Sequence, residues 1–117
     1  MWNPRNAAPP PVYYAADVQR RFAAGEIALL DVREPDEWDD GHIPGAHWIP
    51  LGDLEDRVDE LPADQEWVCV CHVGQRSAMA AGFLQETGRR AGNLLGGMAA
   101  WERARLPTES GRGTVRP

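Results

Sequence analysis

Two unbroken apolar runs limit what this chain can fold into more than any other feature. They are Ile27-Ala28-Leu29-Leu30-Asp31-Val32 and Trp67-Val68-Cys69-Val70-Cys71. Such runs read as strands buried on both faces, the pattern of a parallel sheet covered by helices. The first is stopped by Arg33-Glu34-Pro35, the second by the polar loop His72-Val73-Gly74-Gln75-Arg76. Around them the period changes. Val18 and Phe22, with Arg20 and Arg21 outward, predict a short amphipathic helix over 15–24 ended by Gly25. Residues 36–40 can form a helical turn before Gly41, and 46–49 a second short strand. Leu51, Leu54, Val58 and Leu61 fall at helical spacing up to Pro62. A helix over 77–87 closed by Gly88, a short strand over 92–95 and a helix over 98–104 complete the series. Strands alternating with helices imply βαβ units, hence an α/β fold with a mainly parallel sheet and helices on both faces. Ligands of such sheets bind beyond the carboxyl ends of the strands, which is where Cys71, Asp31 and Arg33 fall.

A chain of 117 residues holds one hydrophobic core. The ordered domain is expected over 12–107. A flexible amino-terminal segment is expected over 1–11, rich in Pro and Ala, and a tail over 108–117. A formal net charge of -6 argues against nucleic acid or an anionic membrane as partner, and leaves a small anionic substrate open. No stretch approaches the roughly 20 apolar residues of a membrane span. The amino terminus lacks the apolar core of a secretory signal. A disulfide across Cys69-Val70-Cys71 would be strained. A reduced, cytoplasmic protein is the expectation.

Cys71 stands out chemically. A thiol at the carboxyl end of a buried strand, facing a helix amino terminus, sits where loop N–H groups and the helix dipole favour a thiolate. Residues 72–76 offer up to five backbone donors, Gly74 lets the loop curl, and Arg76 adds a fixed positive charge. His72 adds another at mildly acidic pH. No general base stands beside the thiol, and attack on an electrophilic sulfur requires none. Position alone leaves phosphate and sulfur chemistry open. Four residues separate Cys71 from Arg76. The phosphate-binding loop of cysteine-dependent phosphatases is one residue longer, so by that comparison the smaller cradle suits a single sulfur atom.

Five motifs then follow in order. They are Leu30-Asp31-Val32-Arg33-Glu34, Glu37-Trp38, Gly41-His42-Ile43-Pro44-Gly45-Ala46, Cys71-His72-Val73-Gly74-Gln75-Arg76-Ser77, and Gly96-Gly97-Met98-Ala99-Ala100-Trp101. With these the chain resembles a single-domain rhodanese, a sulfurtransferase, from about Val12 to Pro107. The resemblance implies a rhodanese-like α/β fold, a central parallel five-stranded sheet flanked by helices on both faces. It implies Cys71 as catalytic residue and His72, Val73, Gly74, Gln75 and Arg76 as the substrate-binding loop. The implied reaction moves a sulfane sulfur from a donor such as thiosulfate to cyanide or a thiol through a Cys71 persulfide, with ping-pong kinetics. Neither metal nor organic cofactor is implied. A carrier or sulfur-sensing module acting on a partner protein is the alternative. A phosphatase or arsenate reductase is disfavoured by the loop length. The chain departs from the family pattern at His72, where many members carry Arg, and at Val73, where a small or polar residue is common.

Other residues have plainer readings. Cys69 shares a strand face with Cys71 and reads as a core residue, with a resolving role as the alternative. Arg76 either holds an anion or pairs with an acidic neighbour to brace the loop. Asp31 and Arg33 read as a structural pair. His42 and His47 have no further ligand beside them, and no metal site is expected. Trp38, Trp48 and Trp101 are expected around the pocket, and the charges of 53–60 on a solvated helix face.

Overall fold

The computed structural model describes residues 3 and 8–111. Residues 1–2, 4–7 and 112–117, which make up most of the two expected terminal segments, lie outside the described residues. The strands are β1 (Val12–Tyr13), β2 (Ala28–Asp31), β3 (His47–Trp48), β4 (Glu66–Val70) and β5 (Arg90–Leu94). The helices are α1 (Ala15–Ala23), α2 (Pro35–Asp40), α3 (Leu54–Arg57), α4 (Gln75–Glu86) and α5 (Gly97–Arg103). The strands form one five-stranded sheet in the order β1-β5-β4-β2-β3, and every pair is parallel.

The two apolar runs have their explanation in the layers. Along β4 and just beyond it, Trp67, Cys69 and Cys71 join Leu54 of α3 and Ala80, Ala81 and Leu84 of α4. Val68 and Val70 point the other way, among Val18 of α1, Trp38 of α2, and Met98 and Trp101 of α5. In β2, Leu30 packs on the first side and Leu29 on the second. Both strands are therefore apolar on both faces, as a sheet sandwiched by helices requires.

Several boundaries differ from the sequence reading for local reasons. Periodicity does not reveal β1, whose two residues follow a proline run. It is held by backbone pairing with β5, where the Asn93 N–H donates to the Pro11 carbonyl at 2.8 Å. The segment 51–61 keeps its apolar spacing but winds as a 3-10 turn (Leu51–Asp53), α3, and a second 3-10 turn (Val58–Glu60). The Arg89 guanidinium, reaching over from β5's side, donates to the Leu61 carbonyl and also to that of Val58, which already accepts the Leu61 N–H. Helix α2 begins at Pro35 rather than 36. Proline suits a first helical position, and Glu34 with Glu37 forms a reciprocal capping box. Helix α4 begins at Gln75, two residues before the expected start. Of the expected tail, Glu109 pairs with His42 through two backbone hydrogen bonds of 2.9 Å.

Candidate active site

Cys71 follows the last residue of the central strand β4, and its side chain is 1% exposed. The chain turns over it in three residues. Gly74 adopts φ 112°, a left-handed conformation that favours glycine, and serves as N-cap of α4. That turn brings the Gly74 N–H to 3.0 Å from Cys71 Sγ, where it donates a hydrogen bond. Ser77, fully buried in the first turn of α4, places its Oγ 3.1 Å from the same sulfur. Asn93 of β5 then locks the arrangement from below. Its Oδ1 lies 2.6 Å from Ser77 Oγ, and its Nδ2 donates to the Gly74 carbonyl at 2.9 Å. Four residues thus close a ring of hydrogen bonds around one sulfur.

The loop is held from its other side by α5. The Met98 N–H donates to the Cys71 carbonyl at 2.8 Å and the Ala99 N–H to the His72 carbonyl at 3.1 Å. This close approach explains Gly97, where a Cβ would fall 2.3 Å from the Cys71 carbonyl oxygen. The early start of α4 also changes the donor set. Gln75 and Arg76 belong to the helix, so their N–H groups are first-turn amides without intrahelical acceptors rather than loop donors.

The Arg76 side chain makes the acidic pairing of its second reading. Its two terminal nitrogens donate to the two carboxylate oxygens of Glu37 at 2.7 and 2.8 Å, joining α4 to α2. The guanidinium holds the Glu37 carboxyl down at about 2, and the carboxylate raises the Arg76 pKa in return. Asp31 and Arg33 form a buried pair. Arg33 Nε and Nη2 donate to Asp31 at 3.0 and 2.8 Å, and Nη2 also reaches the Gly41 carbonyl at 2.7 Å. Burial pushes the Cys69 thiol up, and the neighbouring Cys71 adds to the shift. Both cysteines are free, and Cys69 sits in the core as its plainer reading has it.

Two of the three histidines, His42 and His47, pack against tryptophans, and His72 is exposed in the loop. His42 stacks on Trp38 with centroids 3.6 Å apart, and His47 stands edge-on to Trp67. Trp38 and Trp101 are buried in the layer across the sheet from Cys71, so they do not surround its loop. A cavity of about 230 Å³ in that layer is lined by Phe22, Ile43, Pro44 and Trp101, among others, and by none of residues 71–77.

The family model for the rhodanese-like domain matches residues 14–104. The chain belongs to the rhodanese-like family. The chain is 40% identical over 88 residues to the putative sulfurtransferase YtwF of Bacillus subtilis, covering 75% of this chain and 85% of that protein. It is also 40% identical over 99 residues to the HTH-type transcriptional regulator Rv0324 of Mycobacterium tuberculosis. That match covers 82% of this chain, which spans 43% of the regulator's length. Its structure resembles that of a rhodanese-related protein from Thermoplasma volcanium, with TM-score 0.80 and 30% identity, covering 85% of this chain and 97% of the other. The family and the relatives named as sulfurtransferases support sulfur transfer in general for this chain.

Sequence reasoning missed Ser77 and Asn93 in the ring that holds the sulfur, and Glu37 as the partner of Arg76. Ser77 was legible as the third residue of the helix that follows the loop. Asn93 had a subtler signal, a polar residue inside a strand that flanks the cysteine's own. Glu37 stood in a motif, but only the fold brings it to Arg76.

Proposed function

We propose that this rhodanese accepts a sulfane sulfur on Cys71 and passes it to a nucleophile, with residues 72–76 forming the rim over which both substrates approach. The Cys71 thiolate attacks the outer sulfur of a donor such as thiosulfate. The donor's S–S bond breaks, sulfite leaves with its electron pair, and Cys71 becomes a persulfide. A thiolate or cyanide then attacks the terminal sulfur, forming R–S–SH or thiocyanate and returning the thiolate, a ping-pong cycle. One observation carries this reading. The Cys71 sulfur sits at the head of α4 with a backbone N–H and a hydroxyl within hydrogen-bond distance, the donors an anionic sulfur requires. The two free cysteines fit a reducing compartment such as the cytoplasm.

A second reading is a carrier that hands the same persulfide to a partner protein. It is favoured by the likeness to the putative sulfur carrier protein YrkF of Bacillus subtilis, 38% identical over 93 residues, of which the chain spans 50%. Intact-mass measurement after incubation with excess thiosulfate tests the common step. The parent gains the mass of one sulfur atom, and Cys71→Ser does not. A gain retained in Cys71→Ser and lost in Cys69→Ser would overturn the assignment. Discharge by cyanide then marks the enzyme reading, and discharge by a cell extract alone marks the carrier.

A further inference from the structure

The charges at the carboxyl edge of the sheet bear on which donor this site accepts. In the register of the sheet Asp31 stands opposite Val70, so Arg33 and Cys71 lie at the same end of neighbouring strands. Arg33 and Arg76 are the two guanidinium groups carried by the segments that follow β2 and β4 there. Both are engaged by carboxylates of the protein itself. Arg33 is held by Asp31 and Arg76 by Glu37, each through paired N–H···O bonds of 2.7–3.1 Å. Each pair is neutral overall. Glu34, close enough to Arg76 to raise its pKa, adds a negative charge. The first-turn N–H groups of α5 are occupied as well, by the carbonyls of Cys71 and His72.

The rest of the rim is the exposed His72 and Gln75, the turn at Gly74, and hydrocarbon. Val73 is 53% exposed, and Leu95 is 46% exposed. Val73 precedes Gly74 in the loop, and the backbone on either side of Leu95 comes close to it, since a Cβ on Gly74 would lie within 4 Å of Leu94 O and Gly96 N. A donor approaching Cys71 therefore meets an imidazole, an amide, hydrocarbon and two neutral ion pairs, and neither guanidinium group of this edge is left without a carboxylate.

We infer that the sulfur donor of this site is an organic persulfide, R–S–SH, rather than a dianion such as thiosulfate, and that Glu37 sets this preference by neutralising Arg76. The inference rests on the sulfur-transfer reading of Cys71 given above. The step balances without an external oxidant or reductant. The Cys71 thiolate attacks the terminal sulfur of R–S–SH, the donor S–S bond breaks, and Cys71–S–SH and R–S⁻ are formed. The donor brings at most one negative charge to the reacting sulfurs against two for thiosulfate, and its R group suits the Val73 and Leu95 rim. The leaving group is a thiolate, so a thiol acceptor runs the same step in reverse.

The test compares N-acetylcysteine methyl ester persulfide with thiosulfate. Persulfide formation on Cys71 is followed by mass at pH 8, where an ordinary imidazole is uncharged. Each rate is divided by that of the same donor with free N-acetylcysteine methyl ester, which removes intrinsic reactivity. The normalised second-order rate is expected to favour the organic persulfide by at least about tenfold, the scale of a unit-charge interaction near a protein surface. Glu37→Gln frees the Arg76 charge and is expected to raise the thiosulfate rate several-fold while leaving the organic persulfide within about twofold. Val73→Lys places a cation on an already exposed position, keeps the Glu37 pair intact, and is expected to raise the thiosulfate rate. Equal or reversed normalised rates in the parent, or two folded variants that leave the thiosulfate rate unchanged, would overturn the inference. Failure of every donor to label Cys71 would instead remove the sulfur-transfer reading itself.

Discussion

Counting hydrogens around Ser77 shows what the site asks of a single residue. Asn93 Nδ2 is committed to the Gly74 carbonyl, so its Oδ1 faces Ser77 Oγ. A serine hydroxyl has one hydrogen and two acceptors beside it, Asn93 Oδ1 and Cys71 Sγ. With that hydrogen on Asn93, Ser77 can only accept from a Cys71 S–H. With Cys71 ionised, the hydrogen turns to sulfur. Ser77→Ala removes a donor to the anionic sulfur and is expected to slow persulfide formation about tenfold or more. The measurement is the rate of mass gain with thiosulfate, and an unchanged rate would rule the hydroxyl out as a contributor. Cys71 itself was legible in sequence because a strand end and a helix start are local signals. Ser77's contact was half legible, and Asn93's was not, because β4 and β5 must pair before it can reach the loop.

At the scale of elements, the Glu37–Arg76 pair is the tie between α2 and α4. The Glu37 carboxyl titrates at about 2 in the folded chain against an ordinary 4.5. A lowered folded pKa stabilises the fold above the ordinary value, and that stability is lost as pH falls from about 4.5 toward 2. Both side chains are about one-third exposed, so solvent screening leaves a contribution of about 1 kcal/mol. Urea midpoints are expected to fall less steeply between pH 5 and pH 3 in Glu37→Gln than in the parent; parallel slopes would refute this. The elements show where sequence reasoning stops. The buried strands β2 and β4 were plain because both of their faces are apolar. The edge strand β1 was hidden because its hold is backbone pairing, which leaves no side-chain period. The start of α4 was misplaced because Gly74 caps it through a left-handed turn that composition alone does not locate.

For the molecule as a whole, the sheet order puts β4 at the centre between β5 and β2 with helices against both faces, and Leu29 of β2 lies fully buried on the face away from Cys71. Leu29→Ala is expected to cost about 2–5 kcal/mol in chemical denaturation. That is a large share of the roughly 5–15 kcal/mol typical of a domain. A loss under about 1 kcal/mol would show that this layer can close over a cavity, contrary to a well-packed interior. The alternation of runs was enough to reach the α/β class and the layers. The fifth strand and the strand count came from family resemblance, since four strands were all that the apolar pattern displayed.

The Pro11 carbonyl grips the backbone of the same Asn93 whose side chain steadies the sulfur loop. Whoever trims this protein for expression, or runs an affinity tag directly into Val12, therefore edits the active centre from its far edge. A shortened version can keep its melting point and still disappoint as a catalyst, for reasons that no inspection of residues 71–77 would reveal.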